Sequence, residues 1–172
     1  LEDSGEQQLA RVRVDGRELE RVVRGERVVS SPHVGAEGRV AMLVSRPRQP
    51  AEVHVLDGGD TRAVTRVNDE LLGRLTLGEV RNIHVRSQDG TEVEAWVTLP
   101  PDYVEGRRYP TLLRIHGGPV AQYDFGFDFE SQLLAANGYA VVRANPRGSS
   151  GYGEAFSHAI WADWGNLDYQ DV

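Results

Sequence analysis

Apolar and polar positions alternate in short bursts along the first part of the chain. Leu9-Ala-Arg-Val-Arg-Val14 alternates ahead of Asp15-Gly16, a dipeptide that favours a tight hairpin turn. Glu18 to Val23, Arg27 to Ser30, Arg39 to Val44 and Ala51 to Leu56 continue the pattern; Asp57-Gly58-Gly59 then closes the last, and Thr61 to Val67 lies beyond. The pattern predicts short strands punctuated by turns over residues 9–67. Two units within it resemble each other, Val12-Arg-Val-Asp-Gly16 and His54-Val-Leu-Asp-Gly58. Their offset falls inside the roughly 40–50-residue period of propeller blades. Residues 1–67 therefore read as the C-terminal blades of an incomplete β-propeller. A complete one needs about four to eight blades, so the others are expected upstream of Leu1. An independent small sandwich or meander is the other reading.

Residues 68–80 lose the alternation and read as a linker. A hairpin is expected next: Arg81 to Gln88, the turn Asp89-Gly90, and Thr91 to Leu99, ended by Pro100-Pro101, because proline cannot donate to a strand ladder. Residues 111–115 and 139–144 are short runs with little alternation, as expected of parallel strands covered on both faces. Between them, Phe129, Leu133 and Ala136 recur at helical spacing, and Asn137-Gly138 supplies a stop. Gly153 to Trp164 also predicts a helix, with Phe156, Ile160 and Trp164 four apart. Strand, helix and strand in that order mean an α/β arrangement.

Composition narrows the function. The 172 residues carry a formal charge of −7, which argues against nucleic acid or an anionic membrane as the main partner. No apolar run approaches the roughly 18–20 residues that cross a bilayer. Without cysteine there is no disulfide framework, no thiolate metal site and no cysteine nucleophile, and a cytoplasmic location is expected. All 19 basic residues are arginine, a bias with no site attached to it.

Candidate chemistry concentrates at His116-Gly117-Gly118-Pro119, just past the first apolar run. Open α/β sheets place ligands at the carboxyl ends of their strands. Glycines there let the backbone turn sharply and present N–H groups to a developing oxyanion. Gly117 and Gly118 are the candidate catalytic residues, as an oxyanion turn. Further on, Gly148-Ser-Ser-Gly-Tyr152 is out of register for a G-x-S-x-G nucleophile elbow, and its run lacks the lysine of a phosphate-binding loop. It reads as a structural turn, with Arg147 bonded to backbone carbonyls or a carboxylate. His116 reads as a structural imidazole, since in this hydrolase order the catalytic histidine follows the nucleophile. His33, His54, His84 and His158 lack metal-ligand spacing. Asp163, Asp168 and Asp171 read as helix-capping or solvated carboxylates. Tyr123, Phe125, Phe127 and Phe129 form an aromatic-rich loop suited to core packing or to walling a pocket.

Together these motifs resemble the prolyl oligopeptidase family of serine peptidases, in its acylaminoacyl-peptidase and dipeptidyl-aminopeptidase-like branch. The matching pieces are the Asp89-Gly90 hairpin ending at Pro100, His116-Gly-Gly-Pro119, Asn145-Pro-Arg-Gly-Ser-Ser-Gly-Tyr-Gly153, Phe156, and Trp164-Gly165 with Asp168 and Asp171. The resemblance implies a mixed fold: the end of a β-propeller followed by the N-terminal part of an α/β-hydrolase domain, here residues 81–172. It implies acyl transfer on a short peptide or acylated-peptide substrate by a Ser-Asp-His triad. Of that machinery the chain holds only the oxyanion turn: Gly118 offers its N–H and Gly117 shapes the approach. Some relatives carry tyrosine at the position of His116. No cofactor or metal is implied, and the chain alone is expected to be inactive. An esterase or lipase-like hydrolase, and a non-catalytic hydrolase-like binding module, remain as alternatives.

Overall fold

The computed structural model describes residues 1–172, residue 60 by its backbone alone. The chain divides into two compact units, Leu1–Leu75 with Asp124–Phe127, and Thr76–Tyr123 with Asp128–Val172.

In the first unit the alternating bursts become strands. These are β1 (Glu2–Asp3), β2 (Glu6–Gln7), β3 (Leu9–Val12), β4 (Leu19–Val23), β5 (Val28–Val34), β6 (Val40–Arg46), β7 (Gln49–Asp57) and β8 (Asp60–Ala63). Six of them form one sheet in the order β1-β2-β5-β6-β7-β8, and β3 with β4 makes a separate ribbon. The pairings are antiparallel except that of β2 with β5, a single parallel pair at Gln7 and Val28. Period-2 burial follows from the pleat: on β6, Met42 and Val44 face inward, and they pack with Val23, Val29 and Leu56. β7 buries Glu52 and His54 beside Leu56. Glu52 is satisfied there. The Thr65 hydroxyl donates to it, and the Asn68 N–H and Nδ2 each donate to Oε1 at 3.0 Å. The Thr65 oxygen also accepts the Val53 N–H at 2.8 Å. This knot fixes residues 65–68 just ahead of a short helix, α1 (Asp69–Leu72), inside the stretch expected to be a linker.

The second unit holds a four-stranded sheet in the order β11-β12-β10-β9. Its strands are β9 (Val80–Arg86), β10 (Glu92–Thr98), β11 (Thr111–Ile115) and β12 (Ala140–Ala144). β9/β10 and β10/β12 are antiparallel, whereas β11 and β12 run parallel from Thr111↔Ala140 to Ile115↔Ala144. Parallel strands need a crossover, which α2 (Phe129–Ala136) supplies. The centre of the sheet is buried on both faces, with Val93, Ala95, Trp96 and Val141 all at 2% exposure or less. β11 departs from expectation: it is an edge strand, and Thr111, Leu113 and Ile115 are exposed.

Both helices predicted here differ from their pattern. Asp128 caps α2 by accepting the Ser131 N–H at 2.6 Å. The helix buries Ser131, Gln132 and Ala135 and leaves Phe129 and Leu133 exposed. The cause is a buried amide pair: Gln132 accepts the Gly78 N–H at 2.8 Å and donates to the Gly78 carbonyl at 3.2 Å. That polar exchange decides which face turns inward. The helix expected over Gly153 to Trp164 forms only as α3 (Glu154–His158). Beyond it the bonds shorten to three-residue turns, Trp161 N to His158 O and Asp163 N to Ile160 O, and Ala162 adopts φ +58°. A non-glycine residue at positive φ ends α-helical geometry. A last turn of helix, α4 (Leu167–Gln170), follows.

Candidate functional site

β11 delivers the chain at Ile115 into the His116-Gly117-Gly118-Pro119 turn, at the carboxyl end of a parallel strand. The Gly118–Pro119 peptide is cis and Gly118 has φ +145°. A Cβ on Gly118 would stand 2.9 Å from the Val120 nitrogen and 3.3 Å from the Ala121 Cβ, whereas one on Gly117 would meet nothing within 4 Å. Glycine is thus demanded at 118 by backbone geometry and crowding, whereas at 117 the fold leaves room for a side chain. Both residues are exposed. Among the described residues, neither the Gly117 nor the Gly118 N–H donates to a protein acceptor.

His116 stands over a buried serine. Its Nε2 lies 2.9 Å from Ser149 Oγ and its Nδ1 3.1 Å from the Gly117 carbonyl oxygen. The Tyr123 ring meets the imidazole edge-on at 5.2 Å, and the Arg143 guanidinium lies 5.2 Å from the centre of the same ring. Burial pushes the Tyr123 hydroxyl above its ordinary pKa against the pull of Arg114 and Arg143. The Tyr123 backbone is gripped on both sides by one side chain: its N–H donates to Asn145 Oδ1 at 2.7 Å and its carbonyl accepts from Asn145 Nδ2 at 2.9 Å. Asn145 also donates to the Tyr152 hydroxyl at 2.7 Å, and that hydroxyl donates to buried Glu94 at 2.6 Å. Burial first, and Glu94 with it, drive the Tyr152 hydroxyl far above its ordinary pKa, so it stays a donor. At the start of α2, burial opposes the charge of Asp128. The Ser131 bonds and Arg143 and Arg114 outweigh it and hold the carboxyl below its ordinary value.

The 147–153 turn is locked by charge. Arg147, 7% exposed, donates to Asp171 through its backbone N–H at 2.8 Å, Nε at 2.9 Å and Nη2 at 2.7 Å, and its Nη1 reaches Asp89 at 2.5 Å. The Asp171 bonds come first in holding Arg147 above its ordinary pKa. The Thr91 N–H and hydroxyl, then Arg147, hold Asp89 at about 2. Asp171 is therefore not a solvated or capping carboxylate as its sequence setting suggests. It is the buried partner of Arg147, and no local pattern announces a partner 24 residues away. Asp168 does accept the Gly165 N–H at 2.8 Å, and Asp163 accepts from Asn166 at 2.9 Å.

A cleft of about 250 Å³ opens next to the turn, lined by Ile115, His116, Pro119, Ser149, Ile160 and Tyr169 among others. Gly117 and Gly118 stand outside it. Of the aromatic loop, Phe125 is buried and Phe129 is exposed. Among the described residues no group of three or more His, Asp or Glu side chains is placed to hold a metal ion. No helix among them is long and apolar enough to cross a membrane. Sequence reasoning picked out the glycines but missed Asn145, Ser149, Tyr152 and Glu94 as the groups that fix the turn's surroundings. Three of these lie in the run from Asn145 to Gly153, and that density of polar and glycine residues was the available signal.

Known proteins similar to this chain are peptidases. An uncharacterized peptidase of Bacillus subtilis is 38% identical over 130 residues, covering 75% of this chain and 20% of the relative. The dipeptidyl-peptidase 5 of Porphyromonas gingivalis is 34% identical over 116 residues, 66% of this chain and 17% of the relative. Among solved structures, an acylaminoacyl peptidase in complex with Z-Gly-Gly-Phe-chloromethyl ketone superposes with a TM-score of 0.87 at 31% identity, covering 98% of this chain and 26% of that one. The acylaminoacyl peptidase of Pyrococcus horikoshii gives 0.86 at 31%, with the same coverage. The chain thus spans about a fifth to a quarter of the length of these relatives. Residues 125–172 match the model of the prolyl oligopeptidase family. The chain belongs to that family.

Proposed function

We propose that this chain is part of a serine peptidase that hydrolyses short peptides or acylated peptides by acyl transfer. Residues 1–67 are the closing blades of a β-propeller, 68–80 a linker, and 81–172 the opening part of an α/β-hydrolase domain. One observation carries the reading: the N–H groups of two exposed glycines donate to no acceptor among the described residues, in a turn at the carboxyl end of a parallel strand. Donors left unbonded there are suited to an oxygen that gains charge only in the transition state. A serine elsewhere in the longer protein attacks the carbonyl carbon and passes its proton to a histidine. The carbonyl π electrons move onto oxygen, where the Gly118 N–H meets them while Gly117 leaves the approach clear. Collapse expels the amine with the proton, and water then releases the acyl group by the same steps. One such donor is worth about 3–4 kcal/mol of barrier.

The test is covalent labelling by a fluorophosphonate of two samples, the 172-residue chain and a longer protein that contains it. The longer protein is expected to label and to cleave an N-acylated peptide anilide, and the chain alone to do neither. An unlabelled longer protein, or a label on any serine of the chain alone, refutes the proposal.

A further inference from the structure

Two adjacent serines hold the two ends of the glycine turn. Ser149 is 1% exposed, and its Oγ is the partner of His116 Nε2 at 2.9 Å. Ser150 gives its backbone N–H to the Ala121 carbonyl at 2.9 Å. Residues 117–120 are therefore tethered before and after to one short segment. That segment is itself anchored. The Gly148 N–H donates to Phe156 at 2.9 Å, the Ser157 hydroxyl to the Ser149 carbonyl at 2.8 Å, and the Arg147 N–H to Asp171 at 2.8 Å.

The count of protons sets the direction of the His116 bond. A serine hydroxyl has one proton. That of Ser149 goes to the Pro146 carbonyl oxygen at 2.6 Å, which accepts only. The ring must then supply any proton in the Oγ···Nε2 contact; a neutral imidazole has one N–H for its two acceptors, and the shorter contact takes it, so Nε2–H donates and Ser149 Oγ accepts. The other ring nitrogen faces the Gly117 carbonyl at 3.1 Å, again an acceptor only. Were Ser149 unable to accept, that carbonyl would be the acceptor left to the imidazole, and the ring would move its proton to Nδ1. The tautomer of His116 and the carbonyl of the glycine turn are thus linked through one buried hydroxyl.

We propose that Ser149 is a positioning residue: its hydroxyl keeps His116 in the Nε2–H tautomer and, with the Ser150 N–H, staples the Gly117–Gly118 turn at both ends. Its catalytic value rests on reading that turn as an oxyanion cradle; the proton assignment does not. Donors aimed at a developing charge act without reorganisation only if their backbone is already fixed. Small misplacements are costly, with about 1 Å of error able to lower a rate roughly a hundredfold.

The experiment is long-range ¹H–¹⁵N NMR of the chain with ¹⁵N-labelled histidine at pH 8, the His116 ring being assigned by its loss in His116→Gln. The wild-type ring is expected to carry its proton on Nε2. Ser149→Ala is expected to move the population toward Nδ1–H and to shift the Gly118 amide resonance, and Ser149→Thr to restore both. A wild-type ring protonated on Nδ1 alone overturns the proposal without any variant, so a variant that fails to fold does not shield it. So does a Ser149→Ala ring identical to wild type. In the longer protein, Ser149→Ala is expected to lower kcat about tenfold with KM within about twofold, less than the roughly 10²–10³ seen on deleting an oxyanion donor. If the tautomer moves and kcat does not, the staple stands and the oxyanion reading falls.

Discussion

Gly117 and Gly118 are neighbours with opposite tolerances. Alanine at 118 must hold φ +145° and push its Cβ to 2.9 Å from a backbone nitrogen, while alanine at 117 enters open space. Gly118→Ala is expected to destabilise the second unit by about 1–3 kcal/mol, and Gly117→Ala to stay within about 0.5 kcal/mol. Urea midpoints of the two variants check this, and equal losses would contradict the turn geometry. On the proposed function, Gly117→Ala in the longer protein should still lose activity, its methyl then standing in the path proposed for the substrate carbonyl. The glycine pair itself was legible from residue types. Which of the two the fold requires was not, since that depends on where Val120 and Ala121 return. The same limit hid Ser149, whose partner His116 lies 33 residues away.

Among the elements, β7 shows how a polar residue earns a buried place. Glu52 is held at about 2, first by the Thr65 hydroxyl, with donors from Asn68 outweighing the opposing effect of burial. A carboxylate whose folded pKa is depressed lends stability that is complete above its ordinary value and lost as pH falls through the folded one. The first unit is therefore expected to weaken between about pH 4.5 and 2. His54 adds an earlier loss. Burial first, then Arg46 and Arg27, lower its pKa, so folding resists charging it once the pH drops below its ordinary 6.5. Urea midpoints measured from pH 7 downward check both windows. Glu52→Gln should flatten the lower one, and an unchanged pH slope in that variant would refute the assignment. Strands with regular alternation were legible, β6 and β7 above all. Elements of two to four residues, such as β1, β2, α1 and α4, are too short to show a period. The inward face of α2 was misread because an amide pair at Gln132, not apolar spacing, decides it.

For the whole molecule, periodicity shifts across residues 68–80, and the first unit's main stretch ends at Leu75. No such signal marked the return of residues 124–127 to the first unit. There the Phe125 N–H meets the Gly5 carbonyl and the Phe127 N–H meets Ser45 Oγ, both at 2.9 Å. Backbone bonds of this kind leave no trace in hydropathy. β11, with Leu113 and Ile115 exposed at 47% and 60%, is an apolar edge open to pairing. Light scattering of the chain alone should therefore show self-association that rises with concentration. Leu113→Lys with Ile115→Lys should reduce it, and a wild-type chain monomeric throughout would count against this.

Arg147 has a consequence of another kind. Through Asp171 it ties together points 24 residues apart, and through Asp89 points 58 residues apart. Because the entropy of closing a loop grows only with the logarithm of its length, the longer tie costs little more than the shorter. One guanidinium thus makes two loops of unequal size meet at a single node. Surface insertions in either loop would lengthen it at small entropic cost, while the three backbone positions that reach the node stay in register with one another.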